Sequence, residues 1–419
     1  MIRRRPILTT AICLCLAATG LTGCGKATSG DKDSGGVKSG PGVTASTIKL
    51  GSLVDLTAVF ASLSKSVVQG TQLFWKQQNA NGGVCGRTVE VTVKDTGYDP
   101  QKAVSAYREL SGDVLGLQSV LGSPVMTALR PLAKQDDMFL GFAGWSASVL
   151  GDEHVQLLGT TYDVEAVTGL DFLLREKRVA AGDKVGHVYF EGDFGENALR
   201  GSSWLAGQRG LTIVGQKIKS SDTDLSAQVA TLRAAGVKAI LVSAGPTQTA
   251  SVAGVAKSVG LSVPIVANGP GFTPQLLGTP AGPALTENLH VVSSLAPPAL
   301  DTPAARDLQA AFAKEYPGAV PTQVGSVFGY AQARVVRDML QKACDGKDLT
   351  RKGVLTAFHQ LSQVDTGGLV AGPLTFTDTA APPNRTVYLS RVDGTVPGGL
   401  VAVGGPVTAE PARAYQPAG

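Results

Sequence analysis

The chain has little of what carries chemistry. Its 419 residues include four histidines, His154, His187, His290 and His359, and these are dispersed. None has the His-x-x-x-His spacing of a zinc site, so no metal is expected. His187 and His290 alternate within apolar strand patterns and read as structural. No motif brings a nucleophile, a base and an orienting group together, so no catalytic residue is assigned and no enzyme is expected. Gly144-Trp145-Ser146-Ala147-Ser148 lacks the final glycine of a nucleophile elbow. Gly20 to Ala27 lacks the Ser/Thr that a phosphate loop needs after Lys26, and it follows no strand. No cofactor is expected. Net charge is also low: Arg3, Arg4 and Arg5 supply three of the formal +4, leaving +1 on the rest. That is no footprint for nucleic acid, which needs clustered Lys/Arg on one face. After Cys24 no apolar run is long enough to span a bilayer.

What is present begins with a basic segment, Met1 to Pro6, an apolar run, Ile7 to Leu21, and then small residues leading to Cys24. That order describes a secretory signal. A cysteine directly after Leu21-Thr22-Gly23 resembles the bacterial lipobox. The resemblance implies that Cys24 becomes the mature N-terminus and carries lipid. The chain would then sit at the extracytoplasmic face of a bacterial membrane, with membrane lipid as a partner. Acyl chains at ~0.8 kcal/mol per buried CH₂ would hold it there. An ordinary signal peptide with an incidental cysteine is the alternative. Of the other cysteines, Cys13 and Cys15 lie in the apolar run, leaving Cys85 and Cys344. An even pair in an oxidising compartment predicts a disulfide. It would join the end of the first helix to the end of a late one. Two buried free thiols are the alternative.

Residues 24–46 are rich in Gly, Ser, Lys and Asp and read as a flexible tether. Removing residues 1–23 leaves 396, enough at roughly 150 per domain for two domains. Strand patterns over 47–53, 89–93, 117–121 and 138–142 alternate with helical ones over 63–78, 101–110 and 125–134. A second series follows: helices over 164–176, 197–208, 225–235 and 247–259, and strands over 185–190, 211–214, 239–243, 264–267 and 289–292. Helices over 304–315, 327–343 and 353–361 and strands over 374–376 and 386–390 close the chain. Single helices between strands mean parallel sheets with right-handed crossovers. The fold class is α/β, with two doubly wound lobes and more than one crossing between them.

Four stretches carry a family resemblance: Asn79-Ala80-Asn81-Gly82-Gly83-Val84-Cys85-Gly86-Arg87, Asp95-Thr96-Gly97-Tyr98-Asp99-Pro100-Gln101-Lys102-Ala103, Gly254 to Gly260, and Gly372-Pro373-Leu374-Thr375-Phe376. In order and spacing they resemble the type I periplasmic binding proteins of branched-chain amino-acid ABC transporters. The first two motifs build turns and are expected to touch no ligand. Gly82-Gly83 allows positive φ, and Asp99 caps the helix that Pro100 opens. The resemblance implies a Venus-flytrap pair of Rossmann-like lobes with a multi-strand hinge. Lobe 1 would be 47–147 plus 293–370, lobe 2 148–292 plus 371–408, and 409–419 a tail. It also implies a monomer, a small-molecule solute (an amino acid or related compound) and an ABC permease partner. A ligand sensor of the same fold is the alternative, and a secreted hydrolase a less favoured one.

Ligands of open α/β sheets bind beyond the carboxyl ends of strands. By resemblance, the solute's carboxylate falls to Ser123, the Trp145 backbone and Ser146, with Phe60 as an apolar wall. Trp145 is bulkier than the small residue usual in the family, so its ring is expected in the cleft or in interlobe packing. From the second lobe, Phe194, Gly245, Asn268 and Gly269 complete the enclosure. Gly269 stands where the branched-chain amino-acid binders carry the glutamate that pairs with the ammonium. A buried ammonium needs an anion. Either Asp193 or Asp163 supplies it, or the solute has none. Asp163 reads first as a cap for the helix at Val164. An aromatic or other small carboxylate, an amide or a nucleobase-like solute is open.

Overall fold

A computed structural model describes residues 36–317 and 323–417. The signal segment and Cys24 lie outside the described residues. The first lobe holds β1 (Lys38–Ser39), β2 (Thr47–Val54), α1 (Ala61–Ala80), β3 (Thr88–Asp95), α2 (Pro100–Leu110), β4 (Gly116–Leu121), α3 (Ser123–Gln135), β5 (Leu140–Ala143) and β6 (Val155–Leu157). Strands β2 to β6 form one parallel sheet in the order β3-β2-β4-β5-β6. Every residue of β4 and β5 is buried, as helices on both faces require.

The chain then crosses to α4 (Tyr162–Arg175), β7 (Lys184–Phe190), α5 (Asp193–Arg209), β8 (Thr212–Ile218), α6 (Ser226–Ala235), β9 (Ala239–Ser243), α7 (Pro246–Ser258), β10 (Ile265–Asn268), α8 (Gly282–Asn288) and β11 (Leu289–Ser293). It returns to the first lobe for α9 (Pro303–Glu315), α10 (Val324–Asp345), β12 (Asp348–Leu349) and α11 (Arg351–Phe358). It ends in the second lobe with β13 (Tyr388–Val392), β14 (Leu400–Ala402) and α12 (Glu410–Ala414). The second sheet runs β14-β13-β11-β10-β9-β7-β8, antiparallel only where β13 meets β11 and β14. The hinge segments are tied together. Thr160 donates its N–H to Ser294 Oγ (2.9 Å), Ala371 to the Ser294 carbonyl (2.8 Å) and Ala296 to the Leu369 carbonyl (3.0 Å).

Three expected boundaries move. Residues 37–46 are no tether: Val37 is buried and β1 pairs with β12. The first crossing follows β6 rather than residue 147, because Val155–Leu157 adds an edge strand to the first sheet. Residues 409–415 are no free tail. Helix α12 packs on α4, and the buried Tyr415 donates its hydroxyl to Asp163 Oδ2 at 3.1 Å. Residues 374–376 form an isolated bridge at Leu374 and pack Phe376 on Phe358, not a strand of the second lobe.

Cys85 and Cys344 are disulfide-bonded, with Cα atoms 6.5 Å apart at a sequence separation of 259. The bond joins the loop after α1 to the end of α10. These two helices also touch through glycine. A Cβ on Gly329 would lie 2.1 Å from the Val67 carbonyl oxygen, so only glycine allows this approach.

Candidate functional site

Loops leaving the carboxyl ends of parallel strands meet between the lobes. After β2, the buried Asp55 carboxylate accepts N–H bonds from Thr57 (3.2 Å), Ala58 (2.6 Å) and Phe60 (2.7 Å). These bonds set the loop that carries Phe60 into the cleft. After β3, Asp95 accepts from the Leu56 and Gly97 N–H groups. Tyr98 follows at φ 59° with its ring edge-on to Phe60, centroids 5.1 Å apart. Gly122, at φ 99°, opens α3 beneath it. A Cβ there would stand 2.4 Å from the Tyr98 ring, so glycine lets Tyr98 cover the start of α3.

The cleft consists of two adjoining narrow chambers, each with a cavity volume of about 20 Å³. Phe60, Tyr98, Gly122, Ser123, Tyr162 and Phe194 line the first. Val67, Gly269, Ser293, Leu295, Val324, Gly325 and Phe328 line the second. Leu63, Leu121, Ala143, Trp145 and Pro270 border both. Among the described residues, no charged side chain lines either chamber. The polar groups concentrate in the first. Ser123 is buried and its hydroxyl has no protein partner. No side chain caps α3, so the N-terminal end of its dipole faces the same space. Burial, reinforced by the charges of Asp193 and Asp55, raises the Tyr98 phenol well above its ordinary value and keeps it a neutral donor.

Trp145 is fixed at both edges. Its Nε1 donates to the Leu158 carbonyl at 2.7 Å, and its ring meets Tyr162 and Phe328 edge-on. Phe194 lies on Tyr162 with centroids 4.2 Å apart. The structure thus brings Phe60, Ser123, Trp145, Phe194 and Gly269 to one cleft. It turns the other three away. Ser146 donates to Ser148 Oγ (3.1 Å), which donates to Asp193 Oδ2 (2.8 Å), a strap across the closed lobes. Gly245 abuts Val59 of the opposite lobe rather than the cleft. Asn268 points into the second lobe, accepting from Ser243 Oγ (2.6 Å) and donating to Glu165 Oε2 (2.8 Å).

Neither candidate acid reaches the cleft. Asp193 is held by Ser148, and the fully buried Asp163 accepts from Thr161, the Val164 N–H and Tyr415 at the head of α4. The motif around Asp99 behaves differently from expectation. Asp99 does cap α2, at 2.7 Å from the Gln101 N–H, but the neighbouring Tyr98 lines the cleft. Glu165 escaped sequence reading altogether. It lies behind Gly269, and burial pushes its carboxyl up to about 8 despite bonds from Asn268 and the Ser294 N–H. His187 continues this buried network through Ser243 and Ser202, and burial lowers its ring to about 3.

The sequence profile described as periplasmic binding protein matches residues 47–397. A fatty acid ABC transporter substrate-binding protein from Thermomonospora curvata is 44% identical, covering 93% of this chain and 99% of that one at a TM-score of 0.90. A branched chain amino acid ABC transporter protein from Thermus thermophilus, solved with bound valine, shares the fold at 20% identity, covering 90% and 99% at a TM-score of 0.79. A leucine binding protein from Thermotoga maritima does so at 18%, covering 85% and 98% at 0.74. No match to a curated protein was found. Such binding proteins take up small-molecule solutes outside the cytoplasm and deliver them to ABC permeases. On sequence and fold together, this chain belongs to the type I periplasmic binding protein family.

Proposed function

We propose that this protein captures an amphipathic carboxylate, of the fatty acid class, between its lobes and presents it to an ABC permease. The observation that carries the reading is the cleft itself: hydrocarbon walls, hydroxyl donors at one end, and no anion for an ammonium. An α-amino acid would bury its ammonium unpaired, at a cost of several kcal/mol. A fatty acid needs only donors for its carboxylate. The Ser123 and Tyr98 hydroxyls, the Trp145 backbone N–H and the first turn of α3 supply these, and Phe60 and Phe194 close over the head. Phe60 comes from one lobe and Phe194 from the other, so the solute touches both only when they are shut. Closure is then a population shift driven by the solute. The relative from Thermomonospora curvata supports the same class. Cys24, lipid-modified after cleavage of residues 1–23, would tether the protein outside the cell membrane, where it acts as a monomer without cofactor. Thermal unfolding with hexadecanoate, butanoate and valine tests the solute. The melting temperature should climb with hexadecanoate concentration and stay flat with valine. A rise with valine alone contradicts the reading. Mass spectrometry of the N-terminus from cells tests the tether: a diacylglyceryl Cys24 is expected, and an intact residue 23–24 bond opposes it.

A further inference from the structure

Resting on that reading, we infer that the second chamber is the alkyl-tail subsite and that the start of α10 sets the chain length accepted. The two chambers meet at Trp145, whose one side-chain polar atom is already spent on Leu158. Past it the lining is hydrocarbon from Val67, Leu295, Val324 and Phe328. The one hydroxyl there, Ser293, accepts from the Leu295 N–H at 3.0 Å. Apart from that hydroxyl the side chains offer no hydrogen bond, so a polar or charged tail would lose its hydration with little to replace it. The donors all stand on the other side of Trp145, at Tyr98 and Ser123. That separation orients a linear amphiphile one way: head beneath Tyr98, tail past Trp145 toward α10. Phe328 packs edge-on against Trp145, centroids 5.4 Å apart, and so shapes both the passage and the wall behind it.

The experiment is calorimetric titration of the whole protein with even-numbered saturated acids from butanoate to hexadecanoate. Each methylene entering the chamber should tighten Kd about fourfold, from ~0.8 kcal/mol per CH₂, until the chamber is full. Beyond that length the gain should stop. In Val324→Phe the hexadecanoate-to-butanoate affinity ratio should fall about tenfold or more. Phe328→Ala, a second and independent variant, should move the plateau to longer acids. Equal affinity across all lengths in the wild type overturns the tail subsite while leaving the carboxylate reading in place. An unchanged ratio and plateau in both folded variants overturns the role of α10. Failure of every acid to bind overturns both the subsite and the function it rests on.

Discussion

Ser123 shows how one side chain can be poorly placed for stability and well placed for binding. Its hydroxyl is buried without a partner, which folding alone does not reward. Ser123→Ala should therefore leave the ligand-free melting temperature unchanged or slightly higher. The same change should weaken fatty acid binding about tenfold, as titration would show. Glu165 and His187 carry the pH dependence. Glu165 is raised in the fold from 4.5 to about 8, so the unfolded chain releases a proton across this window that the folded chain keeps. Stability then falls as pH rises from about 4.5 to 8. The neighbouring Asp163, also raised by burial, pushes in the same direction. His187 works the other way: lowered from 6.5 to about 3, it withholds stability as pH falls through that range. Glu165→Gln should melt above the wild type by a margin that widens between pH 5 and pH 8.5. A margin independent of pH would contradict the assignment. Glu165 was not legible in the sequence, since nothing local distinguishes a buried glutamate on a helix from a solvated one, whereas His187 read as structural from its apolar strand. Ser123 was legible, because it follows an apolar strand and opens a helix.

Among the elements, those with strong local signals matched expectation closely. Asp99-Pro100 announced α2, and the apolar runs around 117–121 and 239–243 announced strands buried on both faces. The weak ones were missed for stated reasons. Strand β6 is three residues with a glutamine in the middle, too short to alternate visibly. Helix α8 opens on Gly282-Pro283, which reads as a turn, and α12 depends on contacts with α4 far away in sequence. Tyr98 was hidden inside a turn motif that the Asp99 cap of α2 already accounts for. The α1–α10 pair makes a sharper test of packing. Gly329→Val would drive a branched side chain into the Val67 carbonyl and should cost about 3 kcal/mol in urea unfolding. Cys344→Ser opens a loop of 259 residues and should cost about 5 kcal/mol by chain entropy. Losses within 1 kcal/mol would show that the two helices hold together without either contact.

At the scale of the molecule, two sheets face each other across a closed cleft, joined by three passes of chain. Alternation of strands and helices told the sequence reader of two lobes. It did not tell where the chain crosses, because crossing points are fixed by contacts such as that of Thr160 with Ser294. The closed form is strapped by Ser148 to Asp193 and by the Trp145 carbonyl accepting the Tyr162 N–H at 2.7 Å. On the proposed function, opening would break the strap and a solute bridging both lobes would restore it. A crystal structure of the protein with hexadecanoate tests this account most directly. The account predicts the carboxylate within hydrogen-bond distance of Ser123 Oγ and the Tyr98 hydroxyl, with the chain running past Trp145 to Val324. An acid bound outside the cleft, or one lying with its carboxylate against Phe328, would contradict it.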